Sequence, residues 1–144
     1  MERFCIASRH YVTRLAALVV LGLALALVTG AGSPAATGSS VSIAPKAYVY
    51  DVGIFVEIEL TFTCSGGLGS ADVTVTQTAA QSSNGQGATG STFVESTNCD
   101  GSPHKLNVSV FGGLFDIGKA TASATLTAPS GTATATRTIS IVSV

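Results

Sequence analysis

The sequence predicts an all-β domain, a two-sheet sandwich of about seven strands, set behind a signal-peptide helix. Three observations lead there. Past residue 40 the apolar and polar residues alternate with period two, and no helical period appears. Thr, Ala, Ser, Gly and Val dominate, which suits short strands and tight turns. The Leu, Glu, Lys and Arg that a helical bundle needs are scarce in that part of the chain. The third observation is an apolar run of 14 residues at 15–28, preceded by Arg3, Arg9 and Arg14 and followed by the small residues Thr29-Gly30-Ala31. A helix of that length reaches about 21 Å, short of the roughly 30 Å hydrocarbon core. Basic leader, short apolar core and small-residue cleavage pattern are the ordered parts of a secretory signal.

Residues 1–31 are therefore expected to leave as a signal peptide, and no membrane anchor is expected to remain after cleavage. Residues 32–40 (GSPAATGSS) lack periodicity and read as a flexible linker. The folded domain is expected over 41–144. Its first strand covers 41–44 and 46–50, interrupted by Pro45 as at a sheet edge. Over 54–64, Ile54, Val56, Ile58, Leu60, Phe62 and Cys64 alternate with polar or outward residues, which identifies the core face. A turn at 65–70 leads to a strand at 71–79, with Val73 and Val75 inward and Thr74, Thr76 and Thr78 outward. A Gly/Ser/Asn-rich loop at 81–90 precedes a short strand at 91–97. The strand at 104–111 turns Leu106, Val108 and Val110 to one face.

The last two strands, 119–127 and 132–142, can be registered from their turn. Ala128-Pro129-Ser130-Gly131 suits a type I turn with Pro second and Gly fourth. It pairs Thr127 with Thr132, Thr125 with Thr134, Ser123 with Thr136 and Thr121 with Thr138. Ala120, Ala122, Ala124 and Leu126 then share the inward face with Ala133, Ala135, Arg137 and Ile139. Those small side chains complement the large ones of 54–62. Arg137 is expected at the rim, reaching water or a carboxylate. Seven strands of this kind within a domain of about 110 residues fit an immunoglobulin-like sandwich.

From residue 32 onward four cations (Lys46, Lys105, Lys119, Arg137) stand against seven carboxylates. With no basic stripe to neutralise phosphates, nucleic acid is excluded as a partner. The chain has three cysteines. Cys5 leaves with the signal, so Cys64 and Cys99 are expected to form one disulfide in an oxidising compartment.

Cys64 at the end of a long strand is followed by Asn98-Cys99-Asp100-Gly101-Ser102-Pro103-His104, Gly118-Lys119-Ala120-Thr121-Ala122 and a closing Arg137-Thr138-Ile139-Ser140-Ile141. Over residues 41–144 this resembles a family of small secreted proteins of high-GC Gram-positive bacteria, marked by a Cys…Cys-Asp-Gly-x-x-His pattern. The resemblance implies an immunoglobulin-like fold and brings no catalytic residues. A weaker similarity is to the neocarzinostatin-type carrier apoproteins, which carry two disulfides where this chain forms one. Antibody domains differ further, since no Trp is present to pack on the bridge.

Candidate chemistry is sparse. His104 is the one histidine left after export, and Asp100 four residues earlier suggests a hydrolase triad. No Gly-x-Ser-x-Gly elbow accompanies it, and the segment reads first as a turn entering a strand. Asn98 and Asp100 offer oxygens for calcium without the rest of a binding loop, and zinc spacing is missing. No cofactor is implied. The sequence Asn107-Val108-Ser109 matches a glycosylation acceptor and reads as chance in a bacterial strand. In the Gly-rich connection at 111–118, Leu114, Phe115 and Ile117 are expected to fold back and plug one end of the sandwich. The alternative is an exposed docking tip.

What remains is a surface. Thr74, Thr76, Thr78, Thr121, Ser123, Thr125, Thr127, Thr132, Thr134, Thr136 and Thr138 are expected on one nearly uncharged sheet face. The functional expectation is thus a secreted, non-catalytic extracellular or wall-associated module that binds an extracellular protein, glycan or small ligand. The alternatives are a small hydrolase using His104 and a carrier apoprotein. Export is tested by mass spectrometry of the culture medium, where a chain beginning near Gly32 is expected. Recovery of the full-length chain from membranes alone contradicts it.

Overall fold

A computed structural model describes residues 38–50 and 53–144. The signal peptide and all of the linker up to residue 37 lie outside the described residues. Five strands make the fold: β1 (Ser40–Tyr50), β2 (Phe55–Gln77), β3 (Ala88–Phe111), β4 (Gly118–Ala128) and β5 (Gly131–Ser143). The protein is all-β, and among the described residues no helix is long and apolar enough to cross a membrane.

The strands run in the order β1-β5-β4-β2-β3, and β1 also pairs with β2, so β1, β5, β4 and β2 close a barrel. All pairings are antiparallel except β1 with β5. β3 pairs with β2 along its length and is the outer strand.

The seven expected strands become five because two expected turns are not chain reversals. β2 runs for 23 residues and β3 for 24, paired as one ribbon. The ladder shifts register between Thr63 and Ser65, between Ser65 and Gly67, and between Gly69 and Ala71. Gly66 and Gly67 take φ of 101° and 119° there, and Gly101 takes 89° on the opposite strand. These are β-bulges, which bend and twist a strand without ending it. Glycine supplies the left-handed conformations that L side chains resist. The first half of β2 pairs with β1 and the second half with β4, so the bend carries the ribbon from one side of the barrel to the other. Beyond the bend the two ends of β3 meet again. A Cβ on Gly90 would collide with the Phe111 carbonyl, so the close approach requires glycine.

Cys64 and Cys99 are bridged at this corner, with their Cα atoms 4.6 Å apart, and both are buried. The bridge packs with Phe62, Ala71 and Leu126. The main core lies beside it. Val56, Ile58 and Leu60 from β2 and Val108 and Val110 from β3 meet Ala120, Ala122 and Ala124 from β4, all buried. Large side chains opposite alanines fill the interior, as expected from the alternation.

The β4–β5 hairpin has the expected register, from Thr127 opposite Thr132 to Thr121 opposite Thr138. Its turn is held against the corner: the Ser65 N–H donates to Ser130 Oγ at 3.0 Å, and the Ser130 N–H donates to the Ser65 carbonyl at 3.2 Å. Ser39, expected in the linker, is already fixed by donating to the Gly131 carbonyl at 2.7 Å.

Several expectations need correction. Pro45 marks a bulge in a strand that gains a second partner, because β1 pairs with β5 from Lys46 onward. Arg137 is exposed, as a rim position requires, and meets no carboxylate among the described residues. Its guanidinium donates to the Ile43 carbonyl at 3.0 Å, across the seam where β1 and β5 are not yet paired. Ile54 is not in the core but 52% exposed. Phe115 fills that end instead, 3% exposed, its N–H donating to the Gly53 carbonyl at 2.8 Å.

Candidate functional site

The hydroxyl face is built on four strands. Reading across β3, β2, β4 and β5, one row holds Thr89, Thr76, Thr121 and Thr138. The next holds Ser91, Thr74, Ser123 and Thr136, and a third holds Phe93, Asp72, Thr125 and Thr134. Ser70, Thr127 and Thr132 continue the array. Neighbouring rows are roughly 6.7 Å apart along a strand and neighbouring strands about 4.8 Å apart. Every one of these side chains is exposed or half-buried, because the inward positions between them carry the apolar core.

Ten of the eleven residues expected on this face stand in the ladder. Thr78 does not: it lies one residue past β2, where its N–H and hydroxyl both donate to Gln81 Oε1, at 2.9 and 3.1 Å. The reading from sequence missed Thr89, Ser91 and Phe93 because the strand at 91–97 was not assigned to this sheet. It also passed over Asp72, whose position two residues from Thr74 places it on the same face. Within the face, hydroxyls are close enough to pair, as Ser123 Oγ and Thr136 Oγ1 do at 3.2 Å. Lys119 ends the array, its ammonium donating to Ser140 Oγ at 2.8 Å.

His104 and Asp100 do meet. His104 Nε2 lies 2.8 Å from Asp100 Oδ1, and the ring stacks on Phe62 at 5.6 Å between centroids. The Ser102 N–H donates to the same carboxylate oxygen at 2.8 Å, and Asn98 Nδ2 donates to the other at 3.2 Å. The hydrogen bond to His104 holds the Asp100 carboxyl below its ordinary range, and the Ser102 N–H adds to the effect. A nucleophilic triad needs in addition a serine within reach of the imidazole. Among the described residues the imidazole's one side-chain hydrogen-bond partner is Asp100. The pair spans the bulge beside Cys99.

The 111–118 connection divides the two expectations made for it. Phe115 plugs the barrel, whereas Leu114 and Ile117 are 66% and 47% exposed. Its anchor was not foreseen. Gln77, buried at the end of β2, donates from Nε2 to the Asp116 carbonyl at 2.8 Å and to the Lys119 carbonyl at 3.2 Å. Its Oε1 accepts the Asp116 N–H at 3.0 Å. The only signal for this in the sequence was a Gln in phase with Val73 and Val75. The Asp116 carboxyl is also held below its ordinary range, by the Ser83 hydroxyl and the Ile117 N–H. Among the described residues no cluster of three or more metal-ligating side chains occurs.

No protein family matches this sequence, and no curated protein matches it. Among solved structures the chain is similar to Spo0M, the sporulation control protein of Bacillus subtilis. The TM-score is 0.37 and the identity 10%, over 72% of this chain and 49% of that one. The chain thus spans about half the length of that protein.

The Asp100–His104 contact has a pH signature. A carboxyl held below its unfolded value contributes stability above that value, and the contribution is lost as pH falls through the folded pKa. Asp100 starts from an ordinary 3.8. The melting temperatures of the wild type and of Asp100→Asn are expected to differ at neutral pH and to converge as the pH falls below that value. Parallel acid limbs in thermal melts of the two proteins contradict this.

Proposed function

We propose that the chain is an exported, non-catalytic binding module that works outside the cell or against the cell wall, with the hydroxyl face as its contact surface. The fold reading that goes with this is an immunoglobulin-like sandwich. If β2 and β3 are each counted as two strands at their corner, one sheet holds β1 with the first half of β2 and the second half of β3. The other sheet holds the remaining halves with β4 and β5. Membership of the small secreted family of high-GC Gram-positive bacteria belongs to the same proposal, as does removal of residues 1–31. The buried Cys64–Cys99 bridge supports an oxidising destination.

The observation that carries the reading is the four-strand array. A face made from Thr and Ser in cross-strand register presents hydroxyls that donate and accept, each beside a methyl group on the threonines. Such a surface matches an extended glycan, whose own surface alternates hydroxyls with C–H patches. Within the three complete rows the one charge is Asp72, so these rows lack the lysines that usually discourage contact with another chain.

Thr125 and Thr134 are opposite one another in that array. Replacing both with Lys is expected to change stability by less than about 1 kcal/mol, since both side chains reach solvent. Sedimentation with isolated cell walls should fall severalfold. Full wall binding by a double variant with an unchanged melting temperature contradicts the proposal.

A further inference from the structure

The opposite side of the barrel carries a recess. Between Ile43 and Ala47 β1 shifts register against β2, so Ala44, Pro45 and Lys46 together oppose Glu59. Proline has no N–H with which to rejoin the ladder, and the bulge stands out from the sheet as a rim. Beneath it lies a cavity of about 320 Å³, lined by Ala44, Pro45, Lys46, Tyr48, Glu57, Glu59 and Asn107. Tyr48 is opposite Glu57, and Glu59 is opposite Asn107, so side chains from three strands point to one place.

The lining is polar but balanced. Lys105 Nζ sits 3.0 Å from Glu59 Oε1, and Lys46 lines the same recess as Glu57. Two carboxylates against two ammonium groups leave the recess close to neutral, which argues against a cation as ligand. Among the described residues no side-chain hydrogen bond occupies Glu57, Asn107, Tyr48 or Lys46. A free carboxylate accepts two neighbouring hydroxyls, an amide both donates and accepts, and an ammonium donates. The Tyr48 ring, 44% exposed, and Pro45 supply the apolar wall. The volume stands at the lower end of the roughly 300–1,000 Å³ of small-molecule sites. A folding role for the bulge accounts for Pro45 but not for a carboxylate, an amide and an exposed aromatic ring converging beneath it.

We propose that this recess binds a neutral polyhydroxylated ring, one sugar residue, with Glu57 and Asn107 bonding its hydroxyls and Tyr48 covering its C–H face. The site is separate from the hydroxyl face and does not depend on it. The test is titration of the full chain with glucose, mannose and N-acetylglucosamine in turn, followed by backbone amide shifts. At least one sugar should move the signals of Tyr48, Glu57 and Asn107 saturably. Glu57→Gln should weaken that binding by about tenfold with an unchanged melting temperature, and Tyr48→Ala should weaken it too. The double lysine variant of the hydroxyl face should bind the sugar normally. The proposal is overturned if none of the three sugars moves these signals. It is equally overturned if Glu57→Gln and Tyr48→Ala bind as the wild type does, or if calcium alone reproduces the shifts.

Discussion

The corner in the β2–β3 ribbon governs the rest of the fold. Two strands of 23 and 24 residues, paired as one antiparallel ribbon, are too long for a domain of this size unless they bend. The bend occurs where the ladder loses register three times, at Gly66 and Gly67 on one strand and opposite Gly101 on the other. A bent ribbon with broken register has lost cross-strand hydrogen bonds and gained backbone freedom, so something must hold it. The Cys64–Cys99 bridge does so from inside, packed on Phe62 and Leu126. The Asp100–His104 contact and the Ser65–Ser130 pair of hydrogen bonds hold it from outside.

Each half of the ribbon then takes a different partner. β1 joins the first half of β2 and β4 joins the second, and β5 connects β1 to β4 to complete the barrel. The two outer faces follow from that division. One carries the hydroxyl rows and the other the recess under Pro45. The aromatic row of Tyr50, Phe55 and Phe111 lies beside the recess on the same face, with adjacent centroids 5.2 Å apart. On the two proposals above, the hydroxyl surface and the separate polar recess would hold glycan at two points.

Much of this was legible in the residues themselves. Alternation revealed the core of β2 from Val56 to Cys64, and a Pro-Ser turn was enough to register the β4–β5 hairpin residue by residue. The corner was not legible, for a physical reason. Glycine and serine at 65–70 and Gly101-Ser102-Pro103 are favoured both in turns and in bulges, and local composition does not distinguish reversing a chain from bending it. The distinction lies in the partner strand, which composition does not show. The face was read from periodicity on three strands, yet its fourth strand depended on pairing that only the bend explains. Gln77 illustrates the same limit. Its inward phase was visible, while its three hydrogen bonds to the 116–119 backbone depend on a loop distant in sequence.

The disulfide holds a single bent ribbon. Closing a loop with 35 residues of separation is worth about 3.8 kcal/mol in the loop-entropy model. For a domain of this size that corresponds to roughly 15 °C or more in melting temperature. The decisive measurement is amide hydrogen exchange, with a thermal melt, on the oxidised protein and on protein reduced and alkylated at Cys64 and Cys99. A loss of that size is expected, with protection disappearing first at 63–70 and 97–103 together. An unchanged midpoint after confirmed reduction, or protection lost first at the β4–β5 hairpin, contradicts it.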